Sequence, residues 1–138
     1  MNKFFGILTI FLVISIDQFS KYLAKIYGLN IIFNDGISLN LLNGIPNNLM
    51  IFFLVLFVFL VFLFLKKDTF KNNLYVFLFL GGAISNILDR IFYAGVRDWL
   101  KIPFLDLYNN LADWFIFSGV LIFLLYNTHK KMYKNPIG

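Results

Sequence analysis

From Leu49 to Leu65 the chain reads LMIFFLVLFVFLVFLFL, an unbroken run with no nitrogen or oxygen in any side chain. A run of that length matches the ~17–25 residues an α-helix needs to cross the hydrocarbon of a bilayer. A water-soluble domain of this size has too little interior to bury it. Composition extends the constraint to the whole chain: 138 residues, 60% hydrophobic, 14% charged, nineteen Phe, mean hydropathy +0.79. Those values lie outside the range of soluble globular domains. The fold class is therefore mainly α, integral membrane, with one domain over 1–138 and lipid covering much of its surface.

Three further apolar stretches complete a four-span chain, with spans at 4–26, 49–65, 72–91 and 111–127. The first, from Phe4, resembles a secretory signal in its apolar core. However, it runs into Asp17, Lys21 and Lys25 without a small-x-small cleavage pattern, which makes it a retained span. Between the spans, loop 28–48 is broken by Gly28, Gly36, Gly44, Pro46 and several Asn. Ile31 to Phe33 and Ile37 to Leu42 are expected to form a small hairpin around Asn34-Asp35-Gly36. The other loop, 92–110, is polar. Gly81 and Gly82, in the third span, allow close helix approach.

Orientation follows from the basic residues. Lys3, Lys66, Lys67, Lys71, Lys130, Lys131 and Lys134 lie on one side with a single acid, Asp68. The other side carries Lys21, Lys25, Arg90, Arg97 and Lys101 with the remaining six Asp. The basic excess marks the cytoplasmic side, so both termini are cytoplasmic and the Asp-rich loops face outward. The same distribution argues against nucleic acid as a partner, since the basic residues sit at span ends rather than in an aromatic-interleaved patch.

Ionisable groups at membrane depth are costly and tend to be functional. On a helix, Gly82, Asn86, Asp89 and Arg90 share one face, a polar stripe entering the outer leaflet. Its bland reading is hydrogen bonding to neighbouring helices or lipid phosphates. Asn109, Asn110 and Asp113 stand at the start of the fourth span. There the bland reading is an N-cap, with Asn110 capping and Asp113 at the third helical position. Cysteine chemistry is excluded because the chain has no Cys, and the only His, His129, lies in the cytoplasmic tail, away from these groups. Metal chemistry has little to stand on beyond an all-Asp site for a hard ion. What remains is a pair of Asp sharing a water. Two close carboxylates do not both ionise readily, so one is protonated and one charged near neutral pH, which supplies acid and base together. Sequence does not say which Asp has which role.

Five motifs occur in order: Asp17-Gln18-x-Ser20-Lys21; Phe33-Asn34-x-Gly36; Gly81-Gly82-Ala83-x-x-Asn86-x-x-Asp89-Arg90; Gly95-Val96-x-Asp98-Trp99; and Asn110-x-Ala112-Asp113. Together they resemble the signature of the lipoprotein signal peptidases, the type II signal peptidases of bacteria, over nearly the whole chain. The resemblance implies an aspartic endopeptidase of the bacterial inner membrane, without cofactor or metal. It would cut diacylglyceryl-modified prolipoproteins before the lipidated cysteine, at the extracytoplasmic face. By position it implies Asp98 and Asp113 as the catalytic dyad, and Asn86, Arg90 and Asn110 as polar partners. Asn34 would meet the substrate from the loop, and Asp17 with Lys21 would steady the site. Asp89 would be structural, and a small extracytoplasmic β-sheet would cradle the substrate. Partners would be the precursor and membrane lipid, with the protein a monomer. The chain departs from the family pattern at Ile37-Ser38-Leu39, where two Ala and a Phe are usual, at Ser85 in place of Gly, and at Tyr108 and Asn109. None of these removes an acid or an amide.

Two rival readings come from other classes. A small ion- or proton-translocating protein using Asp17 and Asp113 as carriers predicts midspan acids and internal repetition. The second and fourth spans have no midspan acid. An assembly subunit using the polar stripe to bind partner helices has no need of spare carboxylates beside a loop cradle.

Overall fold

A computed structural model describes residues 3–34 and 74–134 of the chain. Over these residues the elements run α1 (Lys3–Ile26), β1 (Ile32–Asn34), α2 (Leu74–Tyr93), β2 (Val96–Asp98), β3 (Leu100–Lys101), β4 (Tyr108–Asn109) and α3 (Leu111–Lys134). The stretch expected as the second span, 49–65, lies outside the described residues, as do Asp35 and the strand expected over Ile37 to Leu42.

Helices α1 and α2 are long and apolar enough to cross a bilayer, and α3 contains a shorter apolar portion, Leu111–Tyr126. At 1.5 Å per residue, the 24 residues of α1 span about 36 Å. The expected fourth span ends at 127, yet α3 continues to Lys134. The tail beyond the apolar stretch contains good helix formers, and the next proline is Pro136. Large side chains point outward: Phe4, Phe11, Phe19, Phe92 and Phe117 are all exposed. The buried apolar residues are mostly small or β-branched, namely Val13, Ala24, Val76, Ala83, Val96 and Ala112. This is the distribution expected where lipid solvates the outside and close backbone approach holds the helices together.

Adjacent glycines on α2 make that approach possible on two sides. A Cβ on Gly81 would lie 2.7 Å from Val13 Cβ of α1, and one on Gly82 would lie 2.5 Å from the Ala112 carbonyl oxygen of α3. Helix α2 is thus clamped between its two neighbours at the level where the polar motifs begin. The helix ends are shaped locally. In α1, Gly28 takes φ 64°, with Leu29 N–H donating to Ala24 O at 2.9 Å and Gly28 N–H to Lys25 O at 3.3 Å. That is a Schellman end. In α2 the left-handed position is filled by Ala94 (φ 58°), whose N–H donates to Arg90 O at 3.1 Å. Gly95 then turns the chain into β2.

The sheets differ from the sequence expectation. β1 is paired antiparallel with β2 in the register Ile32↔Asp98, Phe33↔Arg97, Asn34↔Val96, while the other half of the expected hairpin, Ile37 to Leu42, lies outside the described residues. The other pair, β3 with β4 (Leu100↔Asn109, Lys101↔Tyr108), lies within 92–110, where the sequence predicts a polar loop. These strands are two or three residues long and carry Asp, Arg, Lys and Asn, so they lack the alternating apolar pattern by which strands are recognised. β2 is held by Asp89, which accepts from the Arg97 N–H at 3.0 Å, and the others by pairing with neighbouring strands.

Candidate active site

The start of α3 is where the site is assembled. A helix begins with N–H groups that have no intrahelical acceptor, and in a buried setting each needs one from elsewhere. Here Asn110 is the cap, its Oδ1 accepting from Asp113 N–H at 3.0 Å. Asp17 reaches across from α1, its Oδ1 accepting from Ala112 N–H at 2.9 Å. The capping role of Asn110 and its place among candidate site residues are compatible, because an amide has two ends. With Oδ1 committed to the cap, Nδ2 is turned toward β2 and donates to Asp98 Oδ1 at 2.6 Å.

Asn86 has the same logic. Its Oδ1 accepts from Lys21 Nζ at 3.2 Å, which directs its Nδ2 to Asp113 Oδ1 at 2.8 Å. On the other side Asn34 Nδ2 donates to Asp98 Oδ2 at 3.1 Å. The register explains this contact: Asn34 faces Val96, so Asp98, two residues on, lies diagonally opposite on the same face. Arg90 Nη1 reaches the backbone oxygen of Asn34 at 3.5 Å. The eight candidate residues therefore form one continuous path: Arg90, Asn34, Asp98, Asn110, Asp113, Asn86, Lys21 and Asp17.

Beneath this path lies a buried ionic cluster. Lys21 Nζ is 2.6 Å from Asp17 Oδ2 and 3.0 Å from Asp89 Oδ2, and its third donor goes to Asn86. Asp89 also binds Arg97 through Nη2 at 2.7 Å and Nε at 3.2 Å, and accepts from the Arg97 backbone N–H at 3.0 Å. Gln18 donates to Asp89 Oδ1 at 2.9 Å and accepts from Arg97 Nη2 at 2.7 Å. Ser85 Oγ–H donates to Asp17 Oδ2 at 2.7 Å. Two carboxylates and two cations balance, which is how four charged side chains are tolerated in an almost fully buried place.

Neither Gln18 nor Arg97 stands out in the sequence as a site residue, and Ser85 stands out only as a departure from the family pattern. Gln18 and Arg97 are each defined by partners on other elements, which no local pattern announces. Asp106 is elsewhere, exposed and paired with Lys101 at 3.2 Å.

Electrostatically the two candidate acids differ from the cluster. Asp98 is 3% exposed. Burial pushes its carboxyl up to about 6, against the lowering effect of the Asn110 and Asn34 amides and with a further push from the Asp113 charge. A carboxyl raised into that range holds and releases a proton near neutral pH. The arrangement can hold one proton between two acids, with neutral amides fixing the orientation of each.

Known proteins similar to this chain identify its family. A solved bacterial membrane enzyme, determined by the in meso method at 2.3 Å resolution, shares the fold with a TM-score of 0.78 over 96% of this chain and 93% of its own, at 21% identity. The two chains thus share one fold. A family model described as signal peptidase (SPase) II matches residues 9–129. The lipoprotein signal peptidase of Campylobacter jejuni subsp. doylei is 34% identical over 121 residues, 84% of this chain and 74% of that protein. That of Caldicellulosiruptor bescii is 34% identical over 110 residues, 78% of this chain and 71% of its own. The one from Borrelia hermsii is 27% identical over 94% of both chains. The chain belongs to the signal peptidase II family of aspartic-type proteases.

Proposed function

We propose that this chain removes the signal peptide from diacylglyceryl-modified prolipoproteins, cutting before the lipidated cysteine, with Asp98 and Asp113 activating the water. Asn110 is the observation that carries the reading. One side chain caps the helix that bears Asp113 while donating to Asp98, so the two acids share a rigid neutral link. The relatives' shared name, lipoprotein signal peptidase, supports the substrate class. The distribution of basic residues supports a site at the extracytoplasmic face of the inner membrane.

In this mechanism the charged carboxylate takes a proton from water as its oxygen bonds to the scissile carbonyl carbon. The protonated partner donates its proton to the developing oxyanion, giving a tetrahedral diol. The proton taken from water then passes to the leaving nitrogen as the C–N bond breaks, and collapse of the diol to the carboxyl product returns a proton to the partner. Each proton transfer contributes ~10²- to 10⁴-fold. Asn34, Asn86 and Asn110 keep the carboxylates aimed without adding charge, and Arg90 secures the loop backbone at Asn34, from which the precursor is met. Lys21 and Asp17 steady the start of α3.

The test is incubation of the purified chain with a diacylglyceryl-modified precursor peptide and mass measurement of the products. Cleavage before the lipidated cysteine is expected. Asp98→Asn and Asp113→Asn should each fold yet cleave at least ~10²-fold more slowly. Cleavage at the full rate by either variant, or none by the unaltered protein, overturns the assignment.

A further inference from the structure

The turn joining β3 to β4 is built against local preference. Leu105 N–H donates to Ile102 O at 3.3 Å, with Pro103 second in the turn and Phe104 third at φ 67°. That third position belongs by preference to glycine, since a side chain there crowds the backbone. A strained conformation is normally kept because surrounding contacts enforce it. Among the described residues Phe104 has no such contacts: it is 105% exposed, and Leu105 beside it is 53% exposed. Nothing in the described interior accounts for a wholly exposed aromatic held in a left-handed turn.

The surroundings are graded in polarity. Ile102, Pro103, Phe104 and Leu105 form an apolar tip, and directly behind it the neck of the hairpin is closed by the exposed pair Lys101 and Asp106 at 3.2 Å. The hairpin leaves the same end of the bundle at which α2 finishes, and the last turn of α2 exposes Ile91, Phe92 and Tyr93. Both elements therefore present exposed apolar side chains. The reach of the hairpin matches the layer to be crossed: the two paired residues of each arm cover roughly 7 Å, against ~5–8 Å for the headgroup layer on one side of a bilayer.

We infer that the tip Pro103–Leu105 enters the lipid of the leaflet at the Asp98 end of the bundle, with Lys101 and Asp106 at the headgroups. The hairpin is then a membrane anchor for the β-strand that carries Asp98, tying the height of that carboxylate to the plane in which a lipid-anchored molecule lies. A basic residue behind an apolar wedge suits an anionic leaflet.

The chain has no Cys, so Phe104→Cys, Leu105→Cys and Ile91→Cys each provide one attachment point for a nitroxide label. Each labelled protein is placed in phosphatidylethanolamine–phosphatidylglycerol vesicles, and accessibility to oxygen is compared with accessibility to a water-soluble nickel chelate. Labels at 104 and 105 should resemble the Ile91 reference, with oxygen access exceeding nickel access. Leu105→Cys keeps Phe104 in place and covers the case in which altering the turn disturbs it. Nickel access exceeding oxygen access at both positions overturns the inference. So does low access to both reagents, which assigns the tip to a protein contact, or a water-exposed label that becomes sheltered only on adding precursor peptide, which assigns it to the substrate.

Discussion

At the scale of single residues, the raised carboxyl of Asp98 ties stability to pH. Its folded value of about 6 lies above the ordinary 3.8, so the native state binds this proton more tightly than the unfolded chain does. The stabilising contribution is complete below 3.8 and is lost as pH rises through about 6. The loss is on the order of 2–3 kcal/mol. Relative to Asp98→Asn, which does not titrate, the unaltered protein should lose thermal stability between pH 4 and 7, and melting curves in detergent at a series of pH values read this directly. Parallel curves for the two proteins refute it. Lys21 offers a second prediction. Lys21→Met leaves Asp17 and Asp89 facing each other with one cation fewer, at a cost of about 3–5 kcal/mol. Asp17→Asn together with Lys21→Met leaves Asp89 and Arg97 balanced, so the double variant should recover part of the folded yield. No recovery would point to a direct role of Lys21 beyond charge balance.

Among the elements, the decisive contact is the crossing of α2 and α3 at Gly82. A methyl there meets the backbone oxygen of Ala112 rather than a flexible side chain, so relief requires the helices to part. Parting displaces Asn86 from Asp113, which are now 2.8 Å apart. Gly82→Ala should therefore cost about 1–3 kcal/mol of stability and lower kcat more than it raises KM. An unchanged kcat shows that the crossing tolerates the methyl without moving the site. Ser85, where the family usually has glycine, fits because its hydroxyl is absorbed: it donates to Asp17 and accepts from Gln18 at 3.0 Å.

Over the whole molecule, Arg97 joins parts distant in sequence. Its guanidinium spans Asp89 of α2 and Gln18 of α1, lies 4.0 Å from the centre of the Tyr93 ring, and belongs to the strand carrying Asp98. Arg97→Gln should leave the helices inserted but loosen β2. We expect a large fall in kcat with a smaller change in KM, and faster hydrogen exchange at Val96 to Asp98 than in the helices. Arg97→Lys should restore little, since a single ammonium cannot reproduce the planar fork. Normal kcat in Arg97→Gln removes any positioning role.

How much of this was legible beforehand depends on the range of the interaction involved. Apolar length alone marks the helices, because the bilayer imposes a thickness that any chain must match. The cap at Asn110 follows from its neighbours, and the shared face of Gly82, Asn86 and Arg90 from helical spacing. The register of β1 against β2 is different: two three-residue segments far apart in the chain carry no periodic pattern and meet only because the helices bring them together. The roles of Gln18 and Arg97 were hidden for the same reason, as each is defined by partners on other elements. Sequence by itself determined which side chains are available and which local ends they cap. Tertiary structure decided which carboxylates are neutralised by cations, as Asp17 and Asp89 are, and which, like Asp98, are held by amides and keep a proton within reach of neutral pH. Burial and partner geometry, which set that difference, are properties of the assembled helices and not of any one segment.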